Sequence, residues 1–262
     1  DLYGKQVEVS LLAFLRAEQK FSSVEALSKQ VHSDIETAKN MAKDYFNDYG
    51  VKDLLDSGET SSQIPCYNFT INTDLGEVYA QISKVGGKLL LFTLNNQSNL
   101  DVDSDGPTQR EYSKAIDFLS SVGIKNAKPV WSQTTGGYTT VNFVSVQDGV
   151  IIYPDMVKVK MAASSGIIVG YEAYGYYMNF IKRTLPKPVL GEVSARAKIN
   201  TAFDVKSARL SVIPKTASVE ELCYEFSALY QGDTYYIYIS AITGKQVEMF
   251  KVVNGTEGEL LM

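Results

Sequence analysis

The chain has 262 residues, 45% of them hydrophobic and 21% charged, which is enough apolar material for a sizeable core in one large domain or two to three small ones. A net charge of −5 leaves no basic excess to neutralise phosphates and argues against nucleic acid as the main partner. The longest apolar run, Val7 to Leu15, contains Glu8 and falls well short of the roughly 20 residues needed to span a bilayer. The first residue is Asp1 rather than Met, as expected of a processed or trimmed piece whose targeting or anchoring segment would lie elsewhere.

In chain order, residues 1–32 show some helical periodicity and form an unassigned lead-in. The first distinct element is SDIETAKNMAKDYFNDYG. Ser33 and Glu36 have the spacing of a capping box, Ile35, Ala38, Met41, Ala42 and Tyr45 form one stripe, and Gly50 fits a C-terminal stop. Strand-like segments follow to about residue 97, then a polar linker, Asn95 to Pro107. The second helix, TQREYSKAIDFLSSVG, repeats the grammar: Thr108 and Glu111 cap it, Tyr112, Ala115, Ile116 and Leu119 form its stripe, and Gly123 stops it. Asp148-Gly149 then marks a hairpin between two strand-like runs. A Pro-rich linker, Arg183 to Gly191, leads to a third and weaker helix, GEVSARAKINTAF, ending near Phe203, and to further strands.

Three stretches, SKVGG, AASSG and SAITG, each lie between β-like runs and end in Gly87, Gly166 and Gly244, near-equally spaced along the chain. A glycine at a hairpin tip supplies positive φ, and three at near-equal spacing suggest three copies of one module. The reading is an α+β chain of three tandem modules, 33–97, 105–183 and 190–262, each one helix packed on an antiparallel sheet of three to four strands. Modules this small have marginal cores and are expected to pack on one another.

Catalytic signals are sparse. His32, the single His, removes a His-based zinc site and reads as a solvated loop residue just before the capping box. Cys66 and Cys223 are far apart, in different modules, and are expected to be two buried thiols rather than a disulfide. There is no CxxC, GxSxG or Walker loop, and the carboxylates are scattered, so no enzyme and no cofactor is expected. DVDSDGPTQRE resembles a calcium loop in which Asp101, Asp103 and Asp105 supply oxygens and Gly106 the turn. The closing Glu should stand at Tyr112, however, and Glu111 is one residue short and claimed by the helix cap. The competing reading is an acidic linker entering a helix N-terminus, where negative charge is favoured. The 17 Tyr, against 11 Phe and one Trp, suit half-exposed sheet faces and interfaces. In DTYYIYIS, Tyr235, Ile237 and Ile239 share one face and Tyr236, Tyr238 and Ser240 the other; Tyr171, Tyr174, Tyr176 and Tyr177 cluster upstream. These rings either fill the small cores and the seams between modules or present a binding surface. On the second reading Tyr171, Tyr174, Tyr176, Tyr236 and Tyr238 are the candidate exposed contacts.

The helix-then-sheet module with its small-x-x-x-Gly hairpin resembles the PepSY domain, a family that includes propeptide regions of secreted metalloproteases. GVIIYPDMVKVKM with GIIVGYEAYGYYMN, LCYEFSALYQGDTYYIYISAITGKQ, and the ending GELLM are similar to the C-terminal region of the YpeB family of spore germination proteins. The resemblance is specific from Gly149 to Met262 and holds at module level from Ser33 to Asn142; residues 1–32 carry none of it, and the family's membrane anchor and long helical region have no counterpart. It implies a non-catalytic partner that stabilises and restrains a cortex-lytic peptidoglycan hydrolase of the SleB type. It also implies a place in the spore on the outer side of the inner membrane, held through a segment not in this sequence. The alternatives are a structural or calcium-responsive module and a protease-inhibitor-like PepSY protein.

Overall fold

Helix α1 (Val24–Tyr45) starts at Ser23, whose Oγ accepts the Ala26 N–H at 3.2 Å. The expected start at Ser33 is therefore corrected. Ser33 and Glu36 lie inside the helix, where Ser33 accepts the Thr37 hydroxyl and Glu36 pairs with Lys39 at 2.7 Å. Residues 24–32 contain no Gly or Pro, so nothing stops propagation back to Ser23. His32 is exposed as expected, but on this helix rather than in a loop, with Nδ1 2.7 Å from the Ser28 carbonyl. The expected stripe forms: Ala38 and Ala42 are buried, and Ile35, Met41 and Tyr45 are half-buried. Gly50, at φ 70°, ends the 3₁₀ turn Asn47–Tyr49 that follows.

The computed structural model describes residues 21–95, 109–216, 219–255 and 258–261, with backbone alone at 109–111, 253–255 and 258–261. The chain divides into two compact units, residues 1–98 and 99–262. It is a mixed α/β protein, mostly sheet with few helices.

In the first unit, β1 (Val51–Thr60), β2 (Cys66–Thr73), β3 (Glu77–Ser83) and β4 (Leu89–Asn95) form an antiparallel meander under α1. Phe69, Ala80 and Phe92 stand opposite one another across three strands, and Phe46 meets Phe92 edge-on at 5.0 Å. Strand β1 is exposed along most of its length, carries Lys52, Asp53, Asp56 and Glu59, and shifts register twice, the features that blunt a sheet edge.

The second unit contains α2 (Gln109–Ser121), β5 (Ala127–Thr135), β6 (Tyr138–Gln147), β7 (Val150–Ala162), β8 (Ile168–Glu172), α3 (Tyr174–Asn179), α4 (Glu192–Arg196), β9 (Asp204–Thr216), β10 (Val219–Tyr230), β11 (Asp233–Ser240), β12 (Gln246–Gly255) and β13 (Gly258–Leu261). A helix followed by four antiparallel strands thus occurs three times in chain order: α1 with β1–β4, α2 with β5–β8, and α4 with β9–β12. The third helix is shorter than expected, ending at Arg196. One further expectation changes. Ile116 is 39% exposed, and Phe118 takes the inward place on α2, meeting Tyr171 edge-on at 5.3 Å. Tyr174, Tyr176 and Tyr177 lie on α3.

Strand β7 organises this unit. Opposite β6, Val144 pairs with Met156 but the next residue, Ser145, pairs with Ile152, so Tyr153, Pro154 and Asp155 bulge out. Pro154 has no N–H to donate, which suits it to a bulge. Before the bulge, Ile151 and Ile152 pair in parallel with Ser211 and Val212 of β9; after it, Lys158 to Met161 pair with β8. The bulge is where one strand passes from one neighbour to the next.

The three expected glycine turns share one geometry. Ser83, Ala162 and Ser240 donate their N–H groups to the carbonyls of Lys88, Ile167 and Lys245 at 2.8, 2.9 and 2.9 Å, and Gly87, Gly166 and Gly244 have φ of 58°, 66° and 73°. An added Cβ at Gly87 would overlap Met41 Sδ, so this turn also needs close approach to α1. Gly87→Ala is expected to cost about 1–2 kcal/mol, somewhat more than Gly58→Ala, where φ is also positive but nothing lies within 4 Å, because the flexible Met41 thioether must move aside. Urea denaturation of both variants measures the difference.

Neither Cys66 nor Cys223 is in a disulfide, and both are buried. Among the described residues no helix is long and apolar enough to cross a membrane.

Candidate functional site

The sheet β9–β12 has two apolar faces. On one, Val212, Phe226, Ile237 and Ile239 pack against Ala195 and Ile199 beside α4, with Phe203 and Tyr235 at the margin. On the other, Ile213, Cys223 and Tyr238 gather Tyr153, Tyr236, Val247 and Phe250. The alternation read in DTYYIYIS is therefore real, and both of its faces are covered.

The second face floors a cleft of about 600 Å³. Trp131 of β5 and Tyr153 and Met156 of β7 stand across from Ile213, Tyr238 and Phe250. The Tyr153 and Phe250 rings meet Tyr238 edge-on at 6.1 and 6.0 Å. Charges of both signs border the cleft: Lys215 pairs with Glu221 at 2.9 Å, and Lys245 and Glu248 stand beside them. This size, with an apolar floor and a few placed polar groups, is that of a binding site.

The bulge in β7 sets Tyr153 into this cleft. Its hydroxyl donates to Glu225 Oε2 at 2.8 Å and accepts from Arg209 Nη2 at 3.1 Å, while Arg209 Nε donates to Glu225 Oε1 at 2.9 Å. Glu225 is buried at 2% exposure, and the network satisfies a carboxylate that would otherwise be costly there. Burial, and then the Glu225 charge, pushes the Tyr153 and Tyr238 hydroxyls well above the ordinary phenol range, so both remain neutral. Burial likewise pushes the Cys223 thiol up to about 12, which keeps it protonated and a poor nucleophile. The arrangement is suited to holding an apolar or aromatic group.

On the other side of the bulge Asp155, 1% exposed, meets Arg183 of the Pro-rich linker. The guanidinium donates to Asp155 at 2.9 and 3.1 Å and to Glu220 of β10 at 2.7 Å twice, and Ser145 donates to Asp155. The Arg183 backbone is also held, its N–H by Gln147 Oε1 at 2.9 Å and its carbonyl by Gln147 Nε2 at 2.6 Å. Arg183 thereby ties β6, β7 and β10 to the linker.

None of the five candidate contact tyrosines is fully exposed, and three are buried, which corrects that expectation. Tyr171 is 3% exposed, packed on Phe118; Tyr176 is 7% exposed and stacks on Phe180 at 4.6 Å; Tyr238 is 4% exposed between Tyr153 and Phe250. Tyr174 and Tyr236 are half-buried. Tyr236 lines a smaller pocket of about 310 Å³ with Tyr112 and Trp131, next to the cleft. The structure thus brings Tyr236 and Tyr238 to adjoining sites and leaves Tyr171, Tyr174 and Tyr176 out of both. Trp131, Tyr153 and Phe250 were missed from sequence; the isolated Trp was a usable signal, whereas a bulge is not visible in a periodicity. Asp101, Asp103 and Asp105 lie outside the described residues. Among the described residues no group of three or more His, Cys, Asp or Glu is placed to hold a metal ion.

Comparison with known proteins gives a consistent result. The family described as "YpeB sporulation, PepSY1 and PepSY2 domains" matches residues 15–186, and the one described as "Peptidase propeptide and YPEB domain" matches residues 190–250. The chain is similar to the sporulation protein YpeB of Halalkalibacterium halodurans, at 30% identity over 83% of this chain and 48% of that protein. Against the YpeB of Bacillus subtilis it is 25% identical over 96% of this chain and 55% of that protein. The chain spans about half the length of the curated relatives it matches. Among solved structures, the Bacillus megaterium YpeB C-terminal domain superposes with a TM-score of 0.70 at 28% identity, over 84% of this chain and 97% of that one.

Proposed function

This chain belongs to the YpeB family of sporulation proteins, and from that membership we propose that it is a non-catalytic interaction part of a spore protein that stabilises and restrains a cortex-lytic hydrolase of the SleB type until germination. The observation that carries the contact role is the aromatic cleft, with half-buried Trp131 and Tyr236 at its approaches and an apolar floor behind them. Aromatic side chains of this kind anchor protein partners with large contact area at small entropic cost. The apolar floor and the neutral Tyr153 and Tyr238 phenols favour holding over catalysis. We read the chain as three PepSY-like modules, supported by the thrice-repeated helix and four strands and by the shared turn geometry at Gly87, Gly166 and Gly244. The place of action in this reading is the outer side of the spore inner membrane.

Calorimetric titration of the chain with a SleB-type hydrolase, read together with the hydrolase rate on purified cortex peptidoglycan, tests the proposal. Binding with a slowed rate is expected, weakened about tenfold or more by Tyr236→Ala. Absence of binding, or binding that leaves the rate unchanged, would remove the restraining role from this part of the protein.

A further inference from the structure

The outer side of a sheet's last strand keeps its backbone groups available to a further strand. Strand β12 is such an edge over residues 246–251: β11 pairs with it on one side, and among the described residues β13 takes up the other side only from Val252 onward. The register with β11 is regular over residues 248–251, with Val247 bulged just before them. The Met249 N–H donates to the carboxylate of its own neighbour, Glu248 Oε1, at 3.2 Å. That amide therefore points away from β11 and is met by a side chain rather than by a strand. The Met249 side chain stands on the Ile237 face, 39% exposed, whereas Val247, Glu248 and Phe250 line the aromatic cleft. The open edge and the cleft thus form one continuous surface.

We propose that this surface docks one extended segment of a partner protein, which adds as a strand to the outer edge of β12, sets an apolar or aromatic side chain into the cleft and brings a carboxylate to Lys245. The proposal rests on the reading of the cleft as a partner site and adds how the partner is held. In such strand addition the main-chain hydrogen bonds supply affinity, and pockets for alternate side chains supply specificity. A small aromatic molecule would fill the cleft and leave the edge unused; an extended chain satisfies both. Charge defines the chain further. Lys215 is paired with Glu221 at 2.9 Å, Lys251 with Asp233 at 2.6 Å, and Glu248 is turned onto the Met249 amide. Lys245, exposed beside the edge and lining the cleft, has no carboxylate partner among the described residues. A segment with an acidic residue two positions from its anchoring ring presents both to the same face and complements this cation.

The probe is the synthetic heptapeptide TVDVFVT, capped at both ends, in which Asp and Phe share one face. Its binding is followed by Trp131 emission, since the single tryptophan lines the cleft, and by hydrogen exchange at the Met249 amide. The peptide is expected to shift the emission and to slow that exchange several-fold. Its fully N-methylated counterpart, and the wild-type peptide on Met249→Pro, should bind about tenfold or more weakly, because each removes edge hydrogen bonds. Proline is tolerated at an outward-facing edge position, and Met249→Ala, which keeps the amide, should bind as the wild type does. Lys245→Glu should weaken binding, and a peptide with Lys in place of Asp should restore it. Absence of peptide binding would overturn the proposal. So would equal binding of the N-methylated peptide, or equal binding by Met249→Pro, because the cleft would then act without the edge. Self-association of the chain that Met249→Pro abolishes would overturn it as well, by giving the edge to a second copy. The hydrolase itself separates this proposal from the one it rests on. Hydrolase binding that survives Met249→Pro removes the strand addition and leaves the restraining role; peptide binding without hydrolase binding supports the docking site and removes that role.

Discussion

Replacing Arg183 by methionine is expected to cost about 3 kcal/mol of stability, a large share of what holds a domain of this size together. The side chain is 6% exposed and faces Asp155 at 1% and Glu220 at 35% exposure. Removing the guanidinium leaves two carboxylates without their counter-ion, one of them fully desolvated, and that uncompensated charge, rather than the loss of the pair itself, sets the cost. Glu220 reaches solvent, which places the value at the lower end of the range for buried pairs. Replacing all three residues together, Arg183→Met with Asp155→Leu and Glu220→Leu, should therefore recover most of the loss.

The pH dependence follows from Asp155. Burial raises its pKa above the ordinary carboxylate value, against the opposing pull of Ser145 and Arg183. A carboxyl group with a raised folded pKa binds its proton more tightly in the native state. Its contribution to stability is thus fully present below the unfolded value of about 3.9 and is lost as pH rises through the folded value. Without Arg183 the folded value rises further. The gap between the wild-type chain and Arg183→Met should accordingly be smallest in acid and widen toward neutrality, as read by urea denaturation between pH 3 and 7. A gap independent of pH would show that the cost comes from lost packing rather than from charge.

Phe226→Ala is expected to cost about 4 kcal/mol. The ring is fully buried, in the centre of β10, opposite Ala208 of β9 and Ile237 of β11. Strands pair on both sides, so the backbone cannot collapse into the space and a cavity remains. The substitution acts on the face beside α4, away from Trp131. In the folded variant Trp131 emission should therefore stay at its wild-type position while the urea midpoint falls. This distinguishes core damage from a change at the cleft.

Local chemistry made several elements legible before any fold was known. A positive φ is a demand on one residue, so Gly87, Gly166 and Gly244 and the Asp148-Gly149 hairpin could be placed from residue type and spacing alone. A stripe at helical period has one buried side, and Ala38, Ala42, Ala115 and Leu119 occupy it as expected. Where α1 begins was less legible, because Ser23 and Ser33 are both competent caps and only continued hydrogen bonding through residues 24–32 selects the first.

The family, the glycine turns and the pairing of Tyr236 with Tyr238 on one face of β11 were thus determined by the sequence itself, since each depends on residue identity or on a strict period of two. Which tyrosines meet solvent was decided only in three dimensions. Tyr238 is buried because a three-residue bulge in β7, a strand some 80 positions earlier, carries Tyr153 across to it. Tyr171 is buried because Phe118 of α2 packs on it, and the cleft exists because β5 brings Trp131 opposite β11 and β12. Burial is a property of pairs of surfaces, and a periodicity describes only one of them.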